Sequence, residues 1–405
     1  MEKLVIIGNG IAGHSALQEI LKSGNEFDIS VVWNEVPQTY VRTQIINYAM
    51  GHVKEDKFYL SRKEFYEEKG IHSIHADVTD IDREEKKLTL SNGETLPYDR
   101  LVIATGSYNF VPPVKADGHS TLTTIDSDSI GGLNGVYTMR NLKDAEGFGK
   151  AVKSAKHAIV SGGGLLGLEA AGSLVDAGLD VTTVEFAPRL LPRQLDEDSS
   201  RLFQKQAENY GLKFILGDSI AQVHFEKDLP VRVTLVSGKE LPCDLLLFSI
   251  GVRSNIAPFM DKLDIGRGIQ IDDYATTSDP SIFCCGDAAE YKGLVYGNWG
   301  FSSNSGKTAG QNVSGQHNVM KPYVLNTLFH SLNTRVFSTG MVNFDDQELT
   351  TSSAGDPDKD YIKLFFKEDR LVAGILMGDT AGGQKLAKAI DAAMSYEEAA
   401  AAFGR

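Results

Sequence analysis

The chain repeats a strand-like apolar run that leads into a glycine-rich turn, and this repeat limits the available folds more than any other feature. One copy covers residues 4–13 and the other covers residues 157–167, with the same spacing between their glycines. The first glycines of the two copies are 154 residues apart. A second pair of matching segments, residues 92–106 and 237–251, is offset by 145 residues. Two motifs in the same order at nearly the same offset indicate a duplicated unit of about 150 residues.

Each copy of the repeat predicts a strand, a glycine turn, a helix and a second strand. The helices are predicted over residues 11–22 and 166–177. Strand, helix and strand of this length form a right-handed parallel crossover. A hairpin is predicted later in each copy, with its turn at Gly93 or Gly238. The predicted fold class is therefore α/β, with two doubly wound nucleotide-binding domains.

Beyond about residue 320 the pattern changes to a hairpin followed by helices. Residues 361–366 and 371–376 flank a charged turn, and Ser395 with Glu398 has the pattern of a capping box before a final helix. We therefore predict a small α+β domain at the C-terminus. The predicted boundaries are 1–111 with 246–320 for the discontinuous first domain, 112–245 for the second domain, and 321–405 for a C-terminal interface domain.

Both glycine turns meet the requirements of dinucleotide binding. The first glycine permits a tight turn, the second lets the backbone approach a pyrophosphate, and the third lets the helix pack against the strand. The start of the helix offers free N–H groups to the anion. The residues predicted to bind there are Gly8, Gly10, Ile11, Ala12 and Gly13 in the first turn, and Gly162, Gly164, Leu165, Leu166 and Gly167 in the second.

An acidic residue ends the second strand of each copy. Glu35 lies 22 residues after the last glycine of the first turn, and Glu185 lies 18 residues after the last glycine of the second. At about this spacing a carboxylate can accept hydrogen bonds from a ribose 2′-hydroxyl. Two complete fingerprints predict two bound dinucleotides. Glu185 would repel a 2′-phosphate, and the nearest basic residue after it is Arg189, so NADH is favoured over NADPH.

Charge and cysteine content argue against several classes of protein. The net charge of -14 disfavours binding to nucleic acid or to anionic membranes. No window approaches the roughly 20 apolar residues of a membrane span. Three cysteines cannot form a disulfide framework, and the N-terminal residues lack a signal-peptide pattern, so we expect a reduced, cytoplasmic protein. The nine histidines show no metal-ligand spacing.

Two further motifs complete a family pattern. Ala104, Thr105 and Gly106 follow one apolar run, and Gly286 with Asp287 follows another. With the two glycine turns, they resemble the FAD-dependent pyridine nucleotide oxidoreductases, in which the first unit binds FAD and an inserted second unit binds NAD(P)H. The resemblance implies FAD and NADH as cofactors and Asp287 as a ligand of the flavin's ribityl chain. It also places Gly251, the counterpart of Gly106 in the second copy, beside a cofactor.

Within this family, residues 35–42 resemble a stretch of the NADH-dependent rubredoxin and ferredoxin reductases and of the flavoprotein part of nitrite reductases. The resemblance implies that Arg42 borders the flavin. It also places Trp299 against the isoalloxazine ring, at the start of a helix that points at the flavin. Many relatives pair a lysine with a glutamate near flavin N5. Here Glu169 is present, but Asn47 stands at the lysine position. Glu169, Trp299 and Asn47 are the candidate catalytic residues.

The cysteines set this chain apart from thiol-dependent relatives. No cysteine precedes Cys243, so the redox thiol of disulfide reductases and NADH oxidases is absent at the family's positions. The resemblance then implies hydride transfer from NADH to FAD and single-electron transfer to a rubredoxin or ferredoxin. Two alternatives stay open: an NADH oxidase or small-molecule reductase without a redox cysteine, and a slow NADH sensor. Homodimer formation is also left open.

A protein acceptor of this class would meet an unfavourable overall charge. Rubredoxins and many ferredoxins are acidic, and this chain carries -14. We therefore expect docking to depend on a local basic patch near the flavin edge. The candidate residues for this patch are Lys292, Lys307 and Arg42.

Overall fold

The computed structural model describes residues 1–123, 133–340, 343–344, 346, 348–356 and 358–404. Contacts divide the chain into two compact units. The first unit comprises Met1–Tyr108, Arg140–Leu142 and Val252–Tyr323, and the second comprises Asn109–Met139, Lys143–Gly251 and Val324–Arg405. The C-terminal segment is thus grouped with the second copy of the repeat. The three domain boundaries given above stay a prediction.

The helices within the described residues are numbered in chain order. They are α1 (Ile11–Lys22), α2 (Ile45–Ala49), α3 (Glu55–Phe58), α4 (Phe65–Glu68), α5 (Leu142–Val152), α6 (Leu165–Asp176), α7 (Glu197–Asn209), α8 (Trp299–Val313), α9 (Gly383–Asp391) and α10 (Tyr396–Phe403). Short 3-10 turns cover Arg42–Gln44, Ala257–Phe259 and Gly286–Ala288. Helix α1 has the predicted bounds, and α6 begins one residue earlier than predicted.

The first unit is built on a five-stranded parallel sheet. Its strands, in spatial order, are Ile282–Cys284, Arg100–Ile103, Glu2–Ile7, Phe27–Trp33 and His72–His75. An antiparallel sheet of Val78–Asp82, Lys87–Leu90 and Thr95–Pro97 follows. The remaining short strands assigned wholly to this unit are Val252–Ser254, Ile269–Ile271 and Ala289–Tyr291, and Ser107–Asn109 lies where the chain leaves it.

Alternate residues of the strand Glu2–Ile7 enter opposite cores, as the two-residue period of a strand requires. Leu4 and Ile6 pack with residues of α1 and α8, whereas Val5 and Ile7 pack with residues of the antiparallel sheet. A strand buried on both faces explains the unbroken apolar run that precedes the first glycine turn.

Helices α1 and α8 meet through small residues. A side chain at Gly306 would overlap the carbonyl oxygen of Ala12, and one at Gly310 would overlap the carbonyl oxygen of Ala16. The two backbones therefore touch along two successive turns, and only glycine fits at these positions of α8.

The second unit repeats the parallel sheet and adds a mixed one, in which only the pair formed by Ile220–Glu226 and Lys115–Ala116 is parallel. The parallel strands, in spatial order, are Val136–Tyr137, Leu245–Phe248, His157–Ser161, Asp180–Glu185 and Lys213–Leu216. A sheet of Glu240–Pro242, Leu229–Leu235, Ile220–Glu226 and Lys115–Ala116 contains the second predicted hairpin. The predicted α/β class with two nucleotide-binding folds is confirmed.

The C-terminal part of the second unit is an antiparallel sheet with two helices. Its strands, in spatial order, are Asn326–Ser331, Thr334–Gly340, Arg370–Gly378, Asp360–Lys367 and Thr350–Ala354. The predicted hairpin forms the third and fourth strands of this order, and Ser395 and Glu398 form the predicted capping box of α10. The buried Lys363 ammonium is paired with the carboxylates of Asp196 and Asp198, which joins this sheet to the start of α7.

Candidate functional site

The first glycine turn is shaped by backbone contacts that exclude side chains at two of its three glycines. Gly8 has a φ of 101°, and a Cβ there would overlap the carbonyl oxygen of Ala104. A Cβ at Gly13 would overlap the carbonyl oxygen of Gly8. A Cβ at Gly10 would meet no protein atom within 4 Å. The space in front of Gly10 is therefore available to a ligand rather than required by the fold.

The second turn has the same geometry. Gly162 has a φ of 120°, and a Cβ there would overlap the carbonyl oxygen of Ser249. A Cβ at Gly167 would overlap the carbonyl oxygen of Gly162, and one at Gly164 would meet nothing within 4 Å. Neither Gly10 nor Gly164 provides a side-chain cap for its helix. The N–H groups at the starts of α1 and α6 can thus bind an anion.

In the first unit Glu35 is held by three donors. One carboxylate oxygen accepts hydrogen bonds from the Tyr40 hydroxyl at 2.6 Å and from the Leu142 N–H at 2.9 Å. The other oxygen accepts from Arg42 at 2.9 Å. Arg42 also donates to the carbonyl oxygen of Arg140. The second strand ends at Trp33 rather than at the predicted Glu35, and the Glu35 carboxylate is fixed in position two residues later, with Arg42 and Tyr40 beside it.

Asp287 lies at the centre of a second network in the same unit. One carboxylate oxygen accepts from the Ser107 hydroxyl at 2.7 Å and from Arg140 at 3.2 Å. The other accepts from the Ser302 hydroxyl, on the first turn of α8, at 3.3 Å. Burial, followed by the charge of Arg42, lowers the pKa of Arg140. Two guanidinium groups and two carboxylates therefore share a partly buried site.

Backbone contacts bring the predicted motifs of the first unit together. Gly286 has a φ of 71°, its N–H donates to the Ser305 hydroxyl at 3.0 Å, and a Cβ there would lie 2.7 Å from the Ala12 side chain. The Thr105 hydroxyl donates to the carbonyl oxygen of Asn255 at 2.7 Å. A Cβ at Gly106 would lie 3.5 Å from Arg140.

Sequence reasoning missed Arg140, Ser107 and Ser302. Arg140 belongs to a three-residue return of the chain, Arg140–Leu142, into the first unit from the middle of the second. No repeat or glycine pattern marks such a short return. One signal could have pointed to Arg140, namely its position just before α5. A positive charge is unfavourable at the start of a helix, so an arginine there suggests a role outside the helix.

In the second unit Glu185 joins the end of its strand to the glycine turn. One carboxylate oxygen accepts from the Gly163 N–H at 2.5 Å, and the other accepts from the Ala187 N–H at 2.7 Å. Gly251 has a φ of 106°, and its carbonyl oxygen accepts from the Phe110 N–H at 2.9 Å. A carboxylate has more acceptor positions than these two bonds use, so Glu185 can still accept from a hydroxyl.

Trp299 is the first residue of α8 and is partly buried. Asn298 caps this helix by accepting hydrogen bonds from Gly300 at 2.8 Å and from Phe301 at 3.2 Å. The Tyr323 hydroxyl donates to the same amide oxygen, and its ring packs edge-on against Phe301. The start of α8 is therefore positioned by side chains on both sides of Trp299.

Asn47 and Glu169 lie in different units, Asn47 in the first and Glu169 in the second. The Asn47 amide donates to Gln44 at 2.8 Å within the first unit. Glu169 lies on α6, and burial raises the pKa of its carboxyl group to about 7. A carboxyl group that holds its proton near neutral pH can donate as well as accept a hydrogen bond.

Replacing Glu169 by glutamine is expected to remove a pH dependence of stability. The carboxyl pKa is about 7 in the folded protein and 4.5 by the reference value, so the folded protein binds more protons within this window. Stability therefore falls as the pH rises from about 4.5 to about 7. We expect Glu169→Gln to match the wild type at about pH 4.5 and to exceed it by about 1–3 kcal/mol at about pH 8.

Urea unfolding of both proteins across this range checks the expectation. Glu226→Gln is the matched control, because Glu226 is an exposed carboxylate in the same unit. Parallel stability curves for the wild type and Glu169→Gln would contradict the expected result.

The three cysteines do not provide a reactive thiol. Cys243, Cys284 and Cys285 are buried and free. Burial raises the pKa of the Cys285 thiol to about 12, so it stays protonated near neutral pH.

Within the described ranges, no cluster of three or more histidine, cysteine or acidic residues could hold a metal ion. No helix in the part of the chain that the structure describes is long and apolar enough to cross a bilayer.

The residues of the first unit fit a flavin dinucleotide. The space at Gly10 and the free N–H groups of α1 suit a pyrophosphate. Glu35 lies two residues after the strand Phe27–Trp33, which is next to this turn, and an adenosine ribose is expected there. Asp287 accepts from hydroxyl groups of Ser107 and Ser302, which is the chemistry that binding of a ribityl chain requires.

Comparison with known proteins identifies two matching family models. A model described as pyridine nucleotide-disulphide oxidoreductase matches residues 2–311. A model described as rubredoxin NAD+ reductase C-terminal domain matches residues 326–394. The first match includes both glycine turns, and the second lies within the C-terminal antiparallel sheet and α9.

Similar proteins differ in how much of their length this chain covers. The nitrite reductase [NAD(P)H] of Bacillus subtilis is 30% identical over 391 residues, which are 95% of this chain and 46% of that protein. The NADH oxidase of Methanocaldococcus jannaschii is 28% identical over 421 residues, with 96% of this chain and 90% of that protein covered. The chain thus spans about half the length of the nitrite reductase.

Among solved structures, the fold is similar to the crystal structure of NADH:rubredoxin oxidoreductase from Clostridium acetobutylicum. The TM-score is 0.78 and the sequence identity is 25%, with 98% of this chain and 96% of that chain covered.

Proposed function

Because the chain belongs to the pyridine nucleotide-disulphide oxidoreductase family, whose members use FAD and NADH, we propose that it oxidises NADH and reduces a rubredoxin or ferredoxin by way of FAD. The observation that carries this proposal is the pair of glycine turns with the same geometry, one in each unit, each joined by hydrogen bonds to the segment that carries its own carboxylate. Two dinucleotides are what an electron transfer from NADH to flavin requires. The match of the C-terminal segment to a rubredoxin reductase domain favours a protein acceptor.

The first unit is proposed to bind FAD. Gly10 and the start of α1 would hold the pyrophosphate, and Glu35 would accept from the adenosine ribose. Asp287 would accept from the ribityl hydroxyls, while Arg42 and Arg140 would hold the carboxylates of Glu35 and Asp287 in place. Bound FAD supplies a two-electron acceptor for hydride and a one-electron donor for the next protein. Trp299 and the start of α8 would border the ring system.

The second unit is proposed to bind NADH through residues 162–167 and Glu185. Glu169 would position the nicotinamide amide, because a carboxyl group with a pKa of about 7 can donate to the amide oxygen or accept from its nitrogen. The protein's own part in the reaction is then to bind and orient. No side chain of this chain is proposed to form a covalent bond, since the three cysteines are buried thiols.

The basic patch predicted from Lys292, Lys307 and Arg42 has less unpaired positive charge than the sequence suggests. Lys292 is paired with Asp273 at 3.1 Å, and Arg42 is paired with Glu35. Lys307 is exposed on α8. We propose Lys307 as the residue of this group with the greatest influence on an acidic acceptor.

Three free, buried cysteines also support action in a reducing compartment such as the cytoplasm.

Anaerobic reduction of the purified, FAD-loaded protein by NADH tests the function. Rapid bleaching of the flavin, followed by fast reoxidation with a rubredoxin or ferredoxin and slow reoxidation by air, is the expected result. Fast reoxidation by air alone would indicate an oxidase instead, and a long-lived reduced state with bound NAD+ would indicate a sensor. A flavin that NADH does not bleach would overturn the proposal.

Glu185 is expected to make flavin reduction faster with NADH than with NADPH. Its carboxylate can accept from a ribose hydroxyl and repels a phosphate at the same place. We expect a difference of about tenfold or more in the apparent second-order rate constant. Glu185→Gln should shrink this difference while the wild-type flavin spectrum is kept. Equal rate constants for the two nucleotides in the wild type would show that Glu185 does not select the nucleotide.

A further inference from the structure

One phenylalanine is exposed to solvent, whereas the others are buried or half-buried. The chain has 19 phenylalanines, all within the described residues, and Phe186 is the only one whose side chain is exposed. Its exposed fraction is 81%. A large aromatic ring in water is unfavourable unless something covers it, because burial of apolar area is the main stabilising term for such a residue.

The exposure of Phe186 does not come from a loose loop. The Ala187 N–H donates to the Glu185 carboxylate at 2.7 Å, and the Ala187 carbonyl oxygen accepts from Gly217 at 3.1 Å. The Glu185 carbonyl oxygen accepts from Asp218 at 3.1 Å. The backbone is thus tied on both sides of residue 186, and the ring is kept outside the core.

The position of Phe186 points to the ligand of the second glycine turn. It directly follows Glu185, whose carboxylate accepts from Gly163 in that turn at 2.5 Å. Leu166, on the first turn of α6, is 41% exposed. Two exposed apolar side chains therefore belong to the same strand end and turn that hold a carboxylate and free N–H groups. Apolar residues next to polar groups are typical of a ligand site.

From this arrangement we propose that Phe186 stacks on the adenine ring of NADH, an assignment that rests on the function proposed above. The adenine is bonded to the ribose that Glu185 would hold, so it must lie close to the residue that follows. Adenine is planar and apolar on its faces, and stacking on an aromatic side chain covers both rings. Phe186 is thus a binding residue for the adenosine half of the nucleotide and has no part in hydride transfer.

The proposal is tested by comparing NADH with a nucleotide that lacks the adenosine half. Phe186→Ala is expected to raise the KM for NADH and the Kd for ADP-ribose, measured by calorimetry, by about tenfold. The kcat with saturating NADH should not change. Reduced nicotinamide mononucleotide lacks adenine, so the wild type and Phe186→Ala should use it equally well. Phe186→Tyr, which keeps the ring, should restore the wild-type values for NADH.

Val236→Ala is the matched control, because Val236 is 69% exposed in the same unit and lies on a hairpin turn. It should leave every constant unchanged. Wild-type Kd and KM values in Phe186→Ala would overturn the assignment, as would an equal loss with both nucleotides. A change in oligomeric state with unchanged ADP-ribose binding would show that a second copy covers the ring instead. If NADH does not bleach the wild-type flavin, the proposed function fails, whereas the ADP-ribose titration still tests Phe186.

Discussion

Asp287→Ala is expected to purify with little or no flavin. The carboxylate accepts from Ser107 at 2.7 Å, from Arg140 at 3.2 Å and from Ser302 at 3.3 Å. Its removal takes the proposed ribityl acceptor away and leaves the Arg140 guanidinium without this anion. A lost hydrogen bond to a charged group costs about 1.5–3 kcal/mol, which corresponds to a loss of affinity of roughly 10- to 150-fold.

The ratio of flavin to protein absorbance after gel filtration, and the Kd for added FAD, measure this effect. Asp287→Asn is the control, since an amide keeps the shape and one acceptor oxygen, and it should fall between the wild type and alanine. Full flavin retention by Asp287→Ala would remove Asp287 from the proposed site.

Gly13→Ala is expected to lose stability, whereas Gly10→Ala is expected to fold and to lose FAD binding. A Cβ at Gly13 would overlap the carbonyl oxygen of Gly8, so the folded first unit must distort. We expect a loss of about 3 kcal/mol or more, which leaves little folded protein. A Cβ at Gly10 meets no protein atom within 4 Å, so Gly10→Ala should fold with nearly normal stability. The added methyl group would then occupy the space proposed for the pyrophosphate.

Thermal unfolding without added cofactor separates the two effects, and FAD titration then measures binding. Gly10→Ala should show a nearly unchanged Tm and an FAD affinity at least about 30-fold weaker. Gly164→Ala in the second unit provides the parallel control, since it should keep FAD and lose NADH. Normal FAD binding by Gly10→Ala would contradict the placement of the pyrophosphate at this turn.

Local signals account for what the sequence predicted well. The spacing of apolar residues after the first glycine turn gave the bounds of α1, and Ser395 with Glu398 marked the start of α10. Glycine spacing identified both turns, because in each turn the third glycine closely approaches the carbonyl oxygen of the first, which lies five residues earlier. Helix α6 begins at Leu165 rather than at Leu166, since Gly164 is its cap and the next residue is already helical.

Long-range contacts account for what the sequence did not show. Arg140 reaches Asp287 across 147 positions of the chain, and Ser107 reaches it across 180. The exposure of Phe186 depends on hydrogen bonds to Gly217 and Asp218, which lie on another strand end. None of these contacts leaves a periodic pattern, so a three-dimensional structure is needed to find them.

The contact between α1 and α8 can form only late in protein synthesis, because the two helices lie far apart in the chain. The small-residue face of α1 is made within the first 22 residues, but its partner begins only at Trp299. At about 5–20 residues per second, the ribosome takes roughly 15–55 s to synthesise the segment between them. During that time the residues of the second parallel sheet are synthesised and can fold. The N-terminal strand and α1 meanwhile lack the helix that covers their apolar face. The face of α1 that packs on α8 is therefore left without its partner on the nascent chain until residue 299 and the helix after it have been synthesised.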